Sequence, residues 1–348
     1  MNLETPGRLR HGIAVWSSAD WREQAVSWLD DRLDAAGLKR VGAVEQPHLR
    51  PWSTVLRVPT NAGVAWFKAI GPATAFEIEL YRILRRSAPE QVLAPIAVDP
   101  ARAWIVLPDG GPTLGESCQE PADYLAAMES AVRRYAQLQR ALMTEVGALL
   151  ALGVADMRAP VMPRRFDEAV DAARDYVERC GSADDRARHE RVAAARERFV
   201  AWCAELAEAP VPPSLDHNDL HAWNIFRTPG AGIRFYDWGD SVVAHPFASM
   251  LVGLGFVRLH LDVAADGPEV LRVRDAYLEM FDDLAPRAEL IRTMELACRV
   301  GKAARALTWA RAMRLLGPVA PGTDDDQFAS APMRSLHSVL DDSYLGGA

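Results

Sequence analysis

At Pro108-Asp109-Gly110-Gly111-Pro112 the chain changes its periodicity, and that change limits the folds open to it. Two prolines and two glycines in five residues let neither a helix nor a central strand run through. Before this break, short runs rich in β-branched and aromatic residues occupy 41–44, 52–58, 64–69, 93–98 and 103–107. Pro59-Thr60-Asn61-Ala62-Gly63 reads as a hairpin turn between the second and third runs. One helix interrupts them at 73–86, with Phe76, Leu80, Ile83 and Leu84 on one side, and another precedes them with Trp21, Ala25, Trp28, Leu29, Leu33 and Ala36 at helical spacing. Ser17 or Ser18 is its candidate cap and Gly37 its stop. After the break, helical spacing covers 124–150, 166–180, 185–206, 246–261, 270–284 and 288–316, and 319–327 reads as a loose connection. A hairpin, 224–227 and 233–236 across Thr228-Pro229-Gly230-Ala231-Gly232, is the exception. The expected fold class is α+β, with a small antiparallel sheet lobe over 1–107 and a larger, mainly helical lobe over 108–348.

The 348 residues are 25% charged and 49% apolar, the balance of an ordinary globular protein. A formal charge of -8 argues against a general nucleic-acid binder, which needs a basic face for phosphates. Cys118, Cys180, Cys203 and Cys298 lack C-x-x-C spacing, so neither a zinc site nor a disulfide framework is indicated. Residues 1–11 are charged without an apolar core, and the longest apolar stretch, around 247–257, is too short to span a bilayer. The expectation is a cytoplasmic protein that binds neither nucleic acid nor membrane.

The densest chemistry lies between Leu215 and Gly239, where His217, Asp219 and Asn224 form H-x-D-x-x-x-x-N and Asp237 follows Asn224 by thirteen residues. A loop carboxylate such as Asp219 can take the proton of a hydroxyl that attacks phosphorus. Asn224 and Asp237, placed by the hairpin at one edge, offer the oxygen donors that magnesium prefers. Lys68 sits in the apolar run Val64-Ala65-Trp66-Phe67-Lys68-Ala69, where an inward ammonium needs an anion. Nucleotide phosphates and an acid of the inserted helix would supply it, and Glu77, on the flank of Leu80, is favoured over Glu79. Asp240 reads as a loop-orienting residue. A rival site, His217, Asp219 and His221 as ligands of a hydrolytic metal, lacks further ligands in sequence, and His217 reads instead as a hydrogen-bonding brace for the loop. The arginines between Arg186 and Arg198 read as a solvated face opposite Val192, Phe199, Cys203 and Leu206, and the tryptophans as helix packing, one or two of them lining a pocket.

The motifs Leu215-Asp216-His217-Asn218-Asp219-Leu220-His221-Ala222-Trp223-Asn224-Ile225 and Tyr236-Asp237-Trp238-Gly239-Asp240 resemble the catalytic loop and metal-binding segment of the aminoglycoside phosphotransferase family, small-molecule kinases with a protein-kinase-like two-lobed fold. The resemblance implies that Asp219 is catalytic, that Asn224 and Asp237 bind Mg2+, that Lys68 contacts the α- and β-phosphates of ATP, and that Glu77 positions Lys68. It also puts Leu107 to Gly110, Asp109 included, at the hinge that receives the adenine. One departure stands out: no G-x-G-x-x-G precedes the second run, and His48-Leu49-Arg50-Pro51-Trp52-Ser53 takes the place of the phosphate-covering loop. Ser53 and its backbone N–H are the expected phosphate contacts there, with Arg50 adding charge. The implied activity is ATP- and Mg2+-dependent transfer to a hydroxylated small-molecule acceptor, either an aminoglycoside or similar antibiotic, or else an amino sugar, choline-like alcohol or other metabolite. A silent nucleotide-binding module is the reading from a different class; the intact Asp219, Asn224, Asp237 and Lys68 argue against it. Asp275, Glu279, Asp282 and Asp283 read mostly as helix-solvating acids, with contact to a polycation as the alternative.

Overall fold

The computed structural model describes residues 11–228, 232–316 and 326–346. Helix α1 (His11–Trp16) leads into α2 (Ala19–Ala35), whose cap is Ser18, its side chain accepting from Trp21 N at 3.3 Å. Gly37, at φ 74°, takes the left-handed conformation that ends the helix. Of the apolar stripe expected of α2 it buries Trp21, Ala25, Trp28, Leu29 and Leu33, whereas Ala36 falls just past the helix as its C-cap and is exposed.

That stripe lies on an antiparallel sheet of β1 (Glu45–Leu49), β2 (Ser53–Thr60), β3 (Gly63–Ile70), β4 (Ala97–Asp99) and β5 (Trp104–Pro108), in the order β1-β2-β3-β5-β4. Strand alternation puts Ala65, Phe67 and Ala69 of β3 in the core under α2 and turns Lys68 to the opposite face. Trp21, Trp28, Phe67 and Trp104 meet tilted or edge-to-face with centroids 5.3–6.3 Å apart. Helix α3 (Phe76–Ser87) is the inserted helix; its buried side includes Leu80, Ile83 and Leu84.

The edges of the sheet differ from expectation. Residues 41–44 form no strand, and β1 begins at Glu45. There Val41 N bonds Pro59 O, but proline has no N–H with which to continue the ladder. The run at 93–98 shrinks to the three-residue β4 because Pro95 interrupts it.

The rest is mostly helical. Helices α4 (Leu114–Ser117), α5 (Pro121–Leu142) and α6 (Val146–Ala151) follow the linker; a 3-10 turn, Met143–Glu145, splits what reads in sequence as one helix. Next come β6 (Ala155–Asp156), α7 (Met162–Cys180), α8 (Ala183–Ala194) and α9 (Arg196–Ala207). The single helix expected over 185–206 therefore breaks at Ala195, where no glycine or proline marks it. The break lets α9 stack Phe199 on Phe166 of α7 at 4.4 Å. Strand β7 (Ser214–Asp216), the hairpin β8 (Ile225–Thr228) and β9 (Gly232–Phe235), and β10 (Val242–Ala244) precede α10 (Met250–Leu261), α11 (Pro268–Leu278) and the long α12 (Arg287–Leu316). Short helices α13 (Asp326–Ala329) and α14 (Ala331–His337) close the described chain. Strands β6, β10 and β7 form a small sheet, buried at β7 and β10, that sequence periodicity did not indicate, since two or three residues are too few to show alternation.

The linker lies tightly on the hairpin: a Cβ added at Gly110 would overlap the Phe226 ring, and Thr228 Oγ1 donates to Gly110 O at 2.6 Å. The N-terminal stretch 1–10, hairpin residues 229–231 and most of 319–327 fall outside the described residues. Among the described residues no helix is long and apolar enough to cross a membrane, and the four cysteines are free.

Candidate active site

The site begins where β7 ends. Buried Asp216 accepts at Oδ1 from Asn218 N (2.7 Å) and Ser249 Oγ (2.6 Å), which turns the chain through Asn218 at φ 59°. Burial pushes the Asp216 carboxyl up to about 6. His217 braces the loop: its N donates to Tyr135 Oη at 2.8 Å, and Nε2 lies 2.9 Å from Tyr236 O. The bond from Nε2 fits the bracing role, and no group of three or more His, Cys, Asp or Glu gathers as a metal cluster among the described residues.

Asp219 is thereby held with both oxygens engaged. Oδ1 accepts from Arg305 Nη2 at 2.7 Å, while Oδ2 lies 3.1 Å from Asn224 Nδ2 and 3.3 Å from His221 Nε2. Burial alone would raise its pKa; the Arg305 guanidinium and His221 overcome that and hold the carboxyl well below the ordinary range. Arg305 also donates to Asn218 O at 2.6 Å and approaches Asp240 Oδ2 at 3.3 Å.

Asn224 and Asp237 bracket the hairpin as expected, though not on its strands. Asn224 ends the 3-10 turn Ala222–Asn224 just before β8, and Asp237 lies two residues beyond β9. The left-handed turn falls on Asp237 itself, at φ 62° and ψ 64°, ahead of the 3-10 turn Trp238–Asp240. Asn224 Nδ2 donates to Asp219 O (2.9 Å) and Oδ2, which orients the amide and leaves its Oδ1 without a partner among the described residues. Asp237 Oδ2 likewise has none. Two hard oxygen donors, few in number, suit magnesium, which takes most of its ligands from phosphates and water.

Lys68 completes the center. Its Nζ meets Glu77 Oε1 and Oε2 at 2.9 and 2.8 Å and Asp237 Oδ1 at 2.6 Å. Burial opposes the ammonium, but Asp237 and Glu77 outweigh it and raise its pKa; burial raises Glu77 against the pull of Lys68. Glu79 instead pairs with Arg82 at 3.2 Å on the exposed side of α3.

A cavity of about 310 Å3 joins these groups, lined by Ser53 and Lys68 from the sheet and by Asp219, Asp237, Asp240 and Arg305 from the helical portion. Asn224 borders it through Asp219 without lining it. Arg50 N donates to Ser53 O at 2.9 Å, a tight turn that presents Ser53 to the cavity. Leu107 and Asp109 are not brought there: Leu107 pairs with Trp66 in the sheet, and Asp109 Oδ1 accepts from Gly111 N at 3.1 Å, capping the linker. Trp52 and Trp309 are the tryptophans that reach the lining. None of Asp275, Glu279, Asp282 and Asp283 reaches it; they pair with Arg274, Arg133, Arg287 and Arg140 at 2.8–3.2 Å.

Sequence reading missed Arg305 and Arg311, both on α12; Arg311 approaches Asp240 Oδ1 at 3.3 Å and donates to Gly239 O at 2.9 Å. The signal was present in Gly301-Lys302-Ala303-Ala304-Arg305-Ala306-Leu307, where cations stand among small apolar residues that want burial.

Comparison with solved structures finds the same fold in the choline kinase of Streptococcus pneumoniae (12% identity, 90% of this chain and 99% of that one, TM-score 0.57). It also finds the macrolide 2'-phosphotransferase of Brachybacterium faecium (17%, 85% and 99%, 0.53) and an aminoglycoside phosphotransferase in its ADP-bound form (15%, 91% and 98%, 0.53). No curated protein matches the chain. The model of the phosphotransferase enzyme family, however, matches residues 40–290, a span that contains Lys68, Glu77, Asp219, Asn224 and Asp237. Family match, fold and motif agree, and the chain belongs to the phosphotransferase enzyme family.

Proposed function

We propose that this phosphotransferase moves the γ-phosphoryl group of ATP, with magnesium, to a hydroxyl of a small molecule. The observation that carries the reading is the single cavity in which Lys68 Nζ ties Glu77 to Asp237 at 2.6–2.9 Å while Asp219 faces the same space. In this reading 1–107 is the nucleotide lobe and 108–348 the acceptor lobe, and the backbone of Leu107 to Gly110, which lies outside the cavity lining and in which Asp109 N already bonds Val64 O, takes the adenine through its remaining groups. The ADP in the related aminoglycoside phosphotransferase supports ATP as the donor.

The chemistry follows from the side chains. An acceptor hydroxyl next to Asp219 gives its proton to Oδ2 as its oxygen bonds the γ-phosphorus; the bond from phosphorus to the β–γ bridging oxygen breaks, and ADP leaves with the electron pair. Arg305 holds Oδ1 at 2.7 Å, whereas Asn224 Nδ2 and His221 Nε2 lie 3.1 and 3.3 Å from Oδ2, which makes Oδ2 the freer oxygen to accept the proton; the guanidinium keeps the carboxylate ionised and oriented. Lys68, held by Glu77, supplies fixed positive charge for the α- and β-phosphates, and Ser53 with its N–H contacts a phosphate from the turn after β1. Asn224 and Asp237 would hold magnesium, which when bound neutralises phosphate charge.

An acceptor screen read by ADP production tests this. Magnesium-dependent ADP release that rises with one hydroxylated compound is the expected result. Stabilisation by MgATP with no acceptor-dependent release would instead indicate a silent nucleotide-binding module.

A further inference from the structure

Beyond Lys68 and Asp237, the cavity around Asp219 is walled by Phe256 of α10 and by Arg305, Trp309 and Arg311 of α12. The two carboxylates on this part of the wall already have guanidinium partners. Asp219 accepts from Arg305 at 2.7 Å, and Asp240 lies 3.3 Å from both Arg305 and Arg311. Two acids against two arginines leave this part electrically balanced. A polycation finds no unpaired carboxylate on this part of the wall among the described residues, and it gains an ion pair there only by breaking one already made. The four surface acids that might have drawn a polycation are tied up by their own arginines.

Phe256 gives this part of the cavity an apolar surface. The Phe256 ring lies 4.7 Å from the ring of His221, whose Nε2 is 3.3 Å from Asp219 Oδ2. Trp223, 40% exposed, stands 6.3 Å from Phe256, and Leu259, 55% exposed, follows on α10 three residues later, the spacing of one helix face. His221 and Phe256, inclined 35° to each other, thus make an aromatic ledge that begins at the base, and Trp223, set at 63° to Phe256 just outside the cavity lining, stands as its rim. A ring laid on the ledge puts a hydroxyl at its own edge within reach of Asp219.

Resting on the phosphotransfer reading above, we propose that the acceptor is an uncharged hydroxylated ring compound, seated by its apolar face on Phe256 and against Trp223, and that the pairing of Asp219 and Asp240 with Arg305 and Arg311 denies polycations a carboxylate. This departs from the aminoglycoside expectation raised by the family resemblance. Phe256 and Trp223 are then specificity-determining residues for the acceptor, while the nucleotide is held elsewhere.

The test measures ADP release at saturating MgATP with two acceptor sets, polycationic aminoglycosides and uncharged glycosides with an aryl or macrocyclic ring, alongside calorimetric binding of MgATP. An uncharged compound should exceed every polycation in kcat/KM by about tenfold or more. Phe256→Ala and Trp223→Ala should each raise its KM about tenfold, with the KM for ATP moving far less, and Phe256→Leu, which keeps an apolar side chain, should raise it less. Polycations used as well as the uncharged set, or an acceptor KM unmoved by both alanine variants, would overturn the inference while leaving phosphotransfer intact. ADP release from neither set overturns it too; failure of MgATP to bind then marks the broader reading as the one at fault.

Discussion

Arg305 shows how one side chain sets the chemistry of another. Asp219 must be ionised to take a proton, yet burial works against its charge, and the guanidinium at 2.7 Å reverses that balance. A carboxylate with a depressed pKa stays active as pH falls, so the acid limb of kcat/KM lies low in the wild type. Removing the cation lets burial raise the pKa, and activity is then lost at a higher pH. Arg305→Gln should therefore move the acid limb upward and lower kcat at neutral pH, with Arg305→Lys restoring part of both; a pH–rate profile identical in shape to wild type would show that Arg305 only supports the fold. At this scale much of the site was legible. Lys68 had to find an anion, Glu77 lay on the correct flank of α3, and the spacing of Asp219, Asn224 and Asp237 announced phosphoryl transfer. Arg305 was readable only as a cation among residues that want burial; its partners lie 65 to 87 residues away in sequence and no local pattern links them.

Among the elements, the linker and the hairpin place the site. Gly110 lets the backbone of the linker approach Phe226, whose ring in turn stacks on Tyr236 at 4.3 Å, the residue before Asp237. Gly110→Ala puts a methyl group into that ring, and overpacking of this kind costs about 1–3 kcal/mol. Thermal unfolding of the variant should show a lowered Tm, and the KM for MgATP should rise as Asp237 shifts; an unchanged Tm would mean that Phe226 moves aside freely. Long amphipathic helices and the β2–β3 hairpin were readable because periodicity accumulates over many residues. Strands of two or three residues, β6, β7 and β10, left no such trace, and the break at Ala195 is imposed by α9 packing on α7. The misplaced strand at 41–44 came from reading local composition where the partner residue, Pro59, decides the pairing.

For the whole molecule, α12 is the spine. It carries Arg305 and Arg311 to the cavity, and one turn earlier buries Lys302, whose Nζ donates to Ser338 O (2.8 Å) and Ser343 O (2.9 Å) and so ties the segment after α14 to the core. Burial pushes the Lys302 ammonium down to about 8, below its unfolded value of about 10.4. The unfolded chain then holds the extra proton between those values, so this group makes the fold more stable as pH rises from about 8 toward 10. Relative to Lys302→Met, the wild type should gain Tm over that range, and parallel Tm curves for the two proteins would contradict the assignment. The central claim is that Asp219 acts in the transfer step and not in holding the nucleotide. Calorimetric MgATP binding, paired with single-turnover transfer to the acceptor found by screening, tests it in Asp219→Asn. The account predicts affinity for MgATP within a few-fold of wild type and transfer slowed by about 10²–10⁴-fold; transfer at the wild-type rate would contradict it.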